Sequence, residues 1–201
     1  MNNICIFLRM SVSACCLSVL MVGCAHSGST NTGADHTAQG VPEITHAVHE
    51  TDDGGLVVQE TVTVHAPIER VWAAYTTSDG YASWAAVAAD VDLRPGGTIR
   101  TTYREDGDLT GDGVNTLHIV NYVPMRLLTL QADVSANWPE VLKRDAANLY
   151  NVILFDSLDP TTTRVASYGL GYTDSPELRR MMAFFEQANR GLYEKLIESL
   201  R

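Results

Sequence analysis

Cysteine is nearly missing from this chain. Its 201 residues hold four, Cys5, Cys15, Cys16 and Cys24, and none follows Cys24. Residues 25–201 therefore offer no disulfide, no thiol nucleophile and no thiolate metal site. Basic residues are also scarce, 14 Lys and Arg against 24 Asp and Glu, for a formal charge of −10. Phosphate backbones need compensating cations, so nucleic acid is excluded as a partner. The same acidity argues against a peripheral electrostatic grip on anionic lipid. No Ser-His-Asp order and no paired-carboxylate arrangement stands out, and no cofactor is expected.

The patterns nearest to a metal site fall short. His46 and His49 sit three apart in an alternating stretch, and such residues point to opposite faces of a strand and do not converge. Asp106, Asp108, Thr110 and Gly111 match the front half of a calcium loop. Its twelfth position, however, is Leu117 rather than the bidentate Glu. An acidic, Gly-rich hairpin loop explains the run, and no metal is expected.

What the chain does have begins with a leading segment. Arg9 is its one charge, residues 10–22 are apolar or small, and Gly23-Cys24 follows. That order resembles a bacterial lipoprotein signal peptide, with cleavage of residues 1–23 and lipid, palmitate included, on Cys24. The alternative is an ordinary secretory signal or a short membrane anchor. Loss of residues 1–23 removes only Arg9 and leaves the rest still more acidic. The lipoprotein reading implies a bacterial cell envelope location, the domain lying in the periplasm or outside the cell. Ala25 after the Cys resembles outer-membrane-directed lipoproteins, with the inner membrane left open. Attachment would come from acyl chains, each buried CH₂ contributing about 0.8 kcal/mol. Residues 24–43 are small and polar and cannot bury enough apolar surface to offset ordering entropy. They read as a flexible tether with an r.m.s. span of about 25 Å.

Residues 44–201 read as one domain. Residues 44–50 alternate weakly before the turn sequence Thr51-Asp52-Asp53-Gly54-Gly55 and suggest an extra strand hairpinned to the next. Residues 56–64 are rich in β-branched side chains and read as a firm strand. Ala66-Pro67-Ile68-Glu69 then reads as a helix start, with Pro67 at the first helical position. Ile68, Val71, Trp72 and Tyr75 recur at helical spacing. Gly80 interrupts, and a short second turn carries Trp84. Strands follow at residues 89–93, 98–104, 113–122, 127–135, 149–158 and 162–171, separated by turn signals that include Pro95-Gly96-Gly97. Residues 136–148 form a longer connection. Ser175-Pro176-Glu177 opens a long helix, with Leu178, Met181, Met182, Phe185, Leu192, Leu196 and Leu200 in one apolar stripe.

Ala66, Pro67, Val71, Trp72, Thr76, Trp84 and the run Asp92-Leu93-Arg94-Pro95-Gly96-Gly97 resemble the SRPBCC or START-like superfamily. The likeness is greatest to the homologues of the heat-shock-chaperone ATPase activator, with polyketide cyclases nearby. The resemblance implies an α+β helix-grip fold. A curved seven-stranded antiparallel sheet wraps the long C-terminal helix, two short helices follow strand 1, and a cavity lies between sheet and helix. It does not fix activity, because this fold hosts binders and enzymes alike.

In such a fold the cavity is the expected site. Its candidate lining residues are Trp84, Tyr103, His118, Tyr122, Trp138, Met181, Met182 and Phe185. Arg100, Tyr150 and Tyr168 are further polar candidates. Each apolar residue among them can equally be plain core. His118 faces water if Leu117 and Ile119 face the core, and the cavity if Val114 and Val120 do. The expected function is a membrane-anchored binding protein holding a small hydrophobic or amphipathic ligand. The alternatives are a cyclase- or dehydratase-type enzyme using a cavity His, Tyr or Arg, and a protein-interaction module. A cytosolic chaperone partner does not suit an exported lipoprotein. Oligomeric state is not legible.

Overall fold

The computed structural model describes residues 44–111, 113–134 and 140–201. The segments expected to be a signal peptide and a tether, the expected lipidation at Cys24, and Trp138 lie outside the described residues.

The firm strand read at residues 56–64 is β2 (Gly55–Val64), and its alternation sets the interior. Leu56, Val62 and Val64 are buried on one face, and so is Glu60. Ile44–Glu50 is a full strand, β1, paired antiparallel with β2 along its whole length. After β2 come two short helices, α1 (Ile68–Thr76) and α2 (Ser78–Ala82). Pro67 sits one position earlier than the first helical residue, as the N-cap of α1, where its carbonyl accepts from Arg70 and Val71. The strands β3 (Ala88–Val91), β4 (Thr98–Thr102), β5 (Asn115–Val123) and β6 (Leu127–Ala132) follow. A short helix α3 (Glu140–Asp145), the long strands β7 (Tyr150–Asp159) and β8 (Thr162–Thr173), and the helix α4 (Pro176–Ser199) complete the chain. Ser175 caps α4 by accepting from the Leu178 N–H at 3.1 Å, and Pro176 takes the first helical position.

All the strands join one eight-stranded antiparallel sheet in the order β1-β2-β8-β7-β6-β5-β4-β3. The expected count of seven is therefore one short. The addition is β1, which the weak alternation of residues 44–50 only suggested. The helix pair accordingly follows the second strand rather than the first.

The main core lies between the sheet and its helices. Val62, Val64, Ile99, Ile119, Leu128, Phe155 and Val165 come from the sheet, Leu196 and Ile197 from α4, and Leu200 from its C-cap. Trp72 and Tyr75 of α1 both stand over Phe155, each with ring centroids 5.1 Å away and nearly perpendicular. A separate cluster joins Val141 and Leu142 of α3 to Leu149 and to Leu178 of α4.

The Pro95-Gly96-Gly97 turn is fixed by two different demands. Gly96 has φ +79°, the left-handed region that favours glycine. At Gly97 an added Cβ would sit 2.0 Å from the Asp92 carbonyl oxygen. The turn reaches across to β5. The Gly96 N–H donates to the Ile119 carbonyl and the Ile119 N–H to the Gly97 carbonyl, both at 2.8 Å. Those bonds pin the register of β5, which decides the direction of His118. No helix among the described residues is long and apolar enough to cross a membrane.

Candidate functional site

Strand register builds the site. His46 pairs with Glu60, Glu60 with Ser167, and Ser167 with Ile153 across β1, β2, β8 and β7. Directly paired residues share a face of the sheet, so this row is presented to α4. Two of its members put polar groups where the alternation of β2 and β8 otherwise places apolar ones.

Glu60 is only 7% exposed. From α4, Asn189 Nδ2 donates to both carboxylate oxygens, at 2.9 and 3.2 Å, and Tyr193 OH donates to one of them at 3.3 Å. His46 Nδ1 stands 3.7 Å away, outside hydrogen-bond reach. Burial pushes the Glu60 carboxyl above the usual carboxylate range, and the hydrogen bonds from Asn189 and Tyr193 and the charge of His46 offset only part of that. Burial also raises the Tyr193 phenol, and the neighbouring carboxylate raises it further.

Beside Glu60 lies a cavity of about 120 Å³. Asn151, Ser167 and Asn189 join Glu60 on its polar side, with Ser167 Oγ donating to Asn151 Oδ1 at 2.7 Å. Leu117, Leu130, Ile153 and Leu192 form an apolar side. The remaining walls are aromatic: Tyr75, Tyr81, Trp84 and Tyr193. Trp84 is anchored by its indole N–H, which donates to the Ala74 carbonyl at 2.9 Å. Its ring centroid lies 4.8 Å from that of Tyr75 and 5.5 Å from that of Tyr81, tilted to both. The Tyr75 hydroxyl is buried with no hydrogen-bond partner among the described residues. A second, water-sized cleft of about 10 Å³ lies against His46 and Glu186, and Glu60 and Tyr193 line both spaces.

Of the residues chosen from sequence, Trp84 is on the cavity wall. The other described candidates are elsewhere. Tyr103 is 55% exposed. His118 is exposed on the outer face of β5, because Leu117 lines the cavity and Ile119 is fully buried. Tyr122 packs against Trp72 in the main core, centroids 6.3 Å apart. Met181 and Phe185 pack into the α3 cluster, since the first half of α4 is covered by α3 rather than by the sheet's centre. Met182 is buried but does not line the cavity. Arg100 donates to the Leu109 carbonyl, and Tyr150 and Tyr168 also lie off the cavity wall. His49 bonds to Gln59 at 2.9 Å on the exposed side of β1, while His46 on the same strand turns to Glu60.

Sequence reasoning missed Glu60, Asn189 and Tyr193, although signals were there. Glu60 occupies the inward register of β2 between Val58 and Val62. Asn189 falls four residues after Phe185 and four before Tyr193 on the stripe of α4. A polar residue at an apolar position in each of two packed elements marks a buried pair. What can chemically follow is the holding of an amphipathic guest, its polar end toward a carboxylate and its body among aliphatic and aromatic side chains.

A model of the family described as "Activator of Hsp90 ATPase homolog 1-like protein" matches residues 65–200. No curated protein matches the chain. Among solved structures, it is similar to the Aha1 dimer from Colwellia psychrerythraea, at 16% identity and TM-score 0.56, covering 72% of this chain and 95% of that one. It is similar to CalU16 from Micromonospora echinospora at 15% identity and TM-score 0.55, covering 82% and 77% of the two chains. It is also similar to protein Ms6760 from Mycobacterium smegmatis at 19% identity and TM-score 0.55, covering 79% and 98%. At these identities the likeness is one of fold.

Proposed function

The chain belongs to the family of activator-of-Hsp90-ATPase-homologue-1-like proteins, within the SRPBCC helix-grip superfamily, and from that premise we propose that it is a lipid-anchored binding protein for a small amphipathic ligand. The observation that carries this reading is the cavity of about 120 Å³ under α4, apolar on one side and closed on the other by a hydrogen-bonded carboxylate. An engineered apolar cavity of about 150 Å³ takes up benzene, so the guest, or the part of it held inside, is of single-ring size. Polar groups in a mostly apolar hollow orient a guest rather than supply its affinity.

The test uses phenol, an apolar ring with one donor, titrated calorimetrically into the folded domain. Saturable binding is expected. The variant Leu192→Trp, at a half-buried cavity position on α4, should fill the space and abolish it. Binding of equal strength in that variant would end the reading.

Anchoring rests on Arg9, the apolar residues 10–22 and Gly23-Cys24. In a bacterial host, Cys24→Ala should abolish incorporation of labelled palmitate and move the protein from the membrane pellet to the soluble fraction. A variant that stays in the pellet unlabelled points to a membrane-embedded leading segment instead.

The cyclase- or dehydratase-type alternative is favoured by one feature, a buried carboxyl with a raised pKa at the cavity wall. Glu60 would be its proton-transfer group, in place of the outward-facing His118.

A further inference from the structure

The charge inventory of the cavity is one-sided. Among its described lining residues Glu60 is the only charged one, and no Lys, Arg or His lines it. The carboxylate receives its direct hydrogen bonds from the neutral groups of Asn189 and Tyr193. The basic side chains near it lie on the side of the smaller cleft, which His46, 3.7 Å off, and Arg190 line. On the cavity side the buried carboxylate meets no cation, which costs free energy that a bound cation there would recover.

The aromatic walls favour the same kind of guest. Tyr75, Tyr81, Trp84 and Tyr193 converge on one cavity with Glu60. The rings of Tyr75 and Tyr81 are tilted by 50° and 47° to that of Trp84, so they form an angled wall rather than a flat stack. Ring faces carry negative quadrupole density, and several of them around one space attract a weakly hydrated cation. An ordinary apolar guest requires neither the carboxylate nor so many aromatic rings, since aliphatic side chains would serve it as well. An anionic guest would meet Glu60 with no compensating charge on the lining.

We propose that the occupant of this cavity is a small organic cation carrying a methylated ammonium group, its charge facing Glu60 and its methyl groups lying against the rings of Tyr81, Trp84 and Tyr193. The assignment rests on the reading of the cavity as a ligand site and adds the chemical class of the ligand. Glu60 is the counter-ion. Asn189 and Tyr193 are positioning residues that hold both its oxygens in place from α4. The apolar side, Leu117, Leu130 and Leu192, receives whatever the ammonium is attached to.

The experiment compares choline with 3,3-dimethylbutan-1-ol, its uncharged carbon isostere, by calorimetric titration into the folded domain. Choline should bind about tenfold more tightly or better, on the scale of a desolvated cation–aromatic contact. Glu60→Gln should erase most of that preference, weakening choline far more than the alcohol. Tyr81→Leu, which keeps the wall apolar, should weaken choline about fivefold and the alcohol less. Circular dichroism of each variant verifies its fold. Equal affinities for choline and the alcohol would overturn the cationic assignment and leave the ligand site standing. Binding of phenol without choline has the same consequence. If none of the three compounds binds saturably, the ligand site itself falls, and the assignment with it.

Discussion

Phe155→Ala is expected to lower the unfolding free energy by about 3–5 kcal/mol, the range for removing a fully buried aromatic ring. Phe155 is 1% exposed in the long strand β7. It is a central contact between the sheet and α1, since the rings of Trp72 and Tyr75 both meet it edgewise at 5.1 Å. Such aromatic pairs add about 0.5–1.5 kcal/mol beyond burial of area. The strands are rigidly paired on both sides of β7, so the hole cannot close by collapse of the backbone. Urea unfolding followed by fluorescence gives the midpoint and the slope. A midpoint shift equivalent to less than about 1 kcal/mol would contradict a core that holds α1 to the sheet through this ring. Phe155 is not on the cavity wall, so at low urea the variant should still bind phenol.

Glu60→Gln is expected to make the protein more stable at neutral pH, and Glu60→Ala to make it less stable. The direction for Gln follows from linkage. Burial raises the Glu60 pKa in the folded protein above its ordinary value. Below the ordinary value the carboxyl is protonated in both states and costs nothing. As pH rises above it, the unfolded chain ionises first, and the fold loses stability until the folded carboxyl ionises too. Above that window the full cost of the buried charge remains. Glutamine carries no such charge, and its carbonyl still accepts from Asn189. The gain for Glu60→Gln should therefore vanish near about pH 4 and grow as pH rises above it. Other carboxylates titrate alike in both proteins and cancel from the difference. Alanine instead strands the Asn189 and Tyr193 donors, at about 1–3 kcal/mol for each one left unpaired. Thermal midpoints of the three proteins across the acid-to-neutral range measure both effects. A Glu60→Gln advantage that is the same at every pH would show that the carboxylate is not under strain. If the advantage has the expected profile, the wild-type residue is kept at a cost in stability, as functional sites commonly are.

The fold was legible because its signals are periodic and local. The alternation of β2, the Ser175-Pro176-Glu177 start of α4 and the Pro95-Gly96-Gly97 turn each follow from a short window of sequence. The superfamily likeness supplied the order of elements. The cavity was far less legible, because its walls are decided by register between distant strands. His118 shows this. Both faces of β5 carry apolar residues, and its pairing with β4 and β6 and the bonds of Gly96 and Gly97 to Ile119, more than twenty residues along, choose which face is inside. Met181 and Phe185 failed as cavity residues for a related reason. The stripe of α4 is long enough to meet two separate clusters, and α3 takes its first half. Residue type also misled. Large aromatics drew attention to Tyr103 and Tyr122, whereas the more telling residues were polar ones standing in apolar register, Glu60 and Asn189.

The edge strand β1 has a consequence beyond completing the sheet. Glu60 lies on β2, which would be the sheet's border if β1 were not laid along it. By covering that flank, β1 makes part of the dielectric barrier that keeps solvent from the carboxylate. The ladder that pairs β1 with β2 along its whole length therefore also helps to set the polarity of the wall that Glu60 gives the cavity.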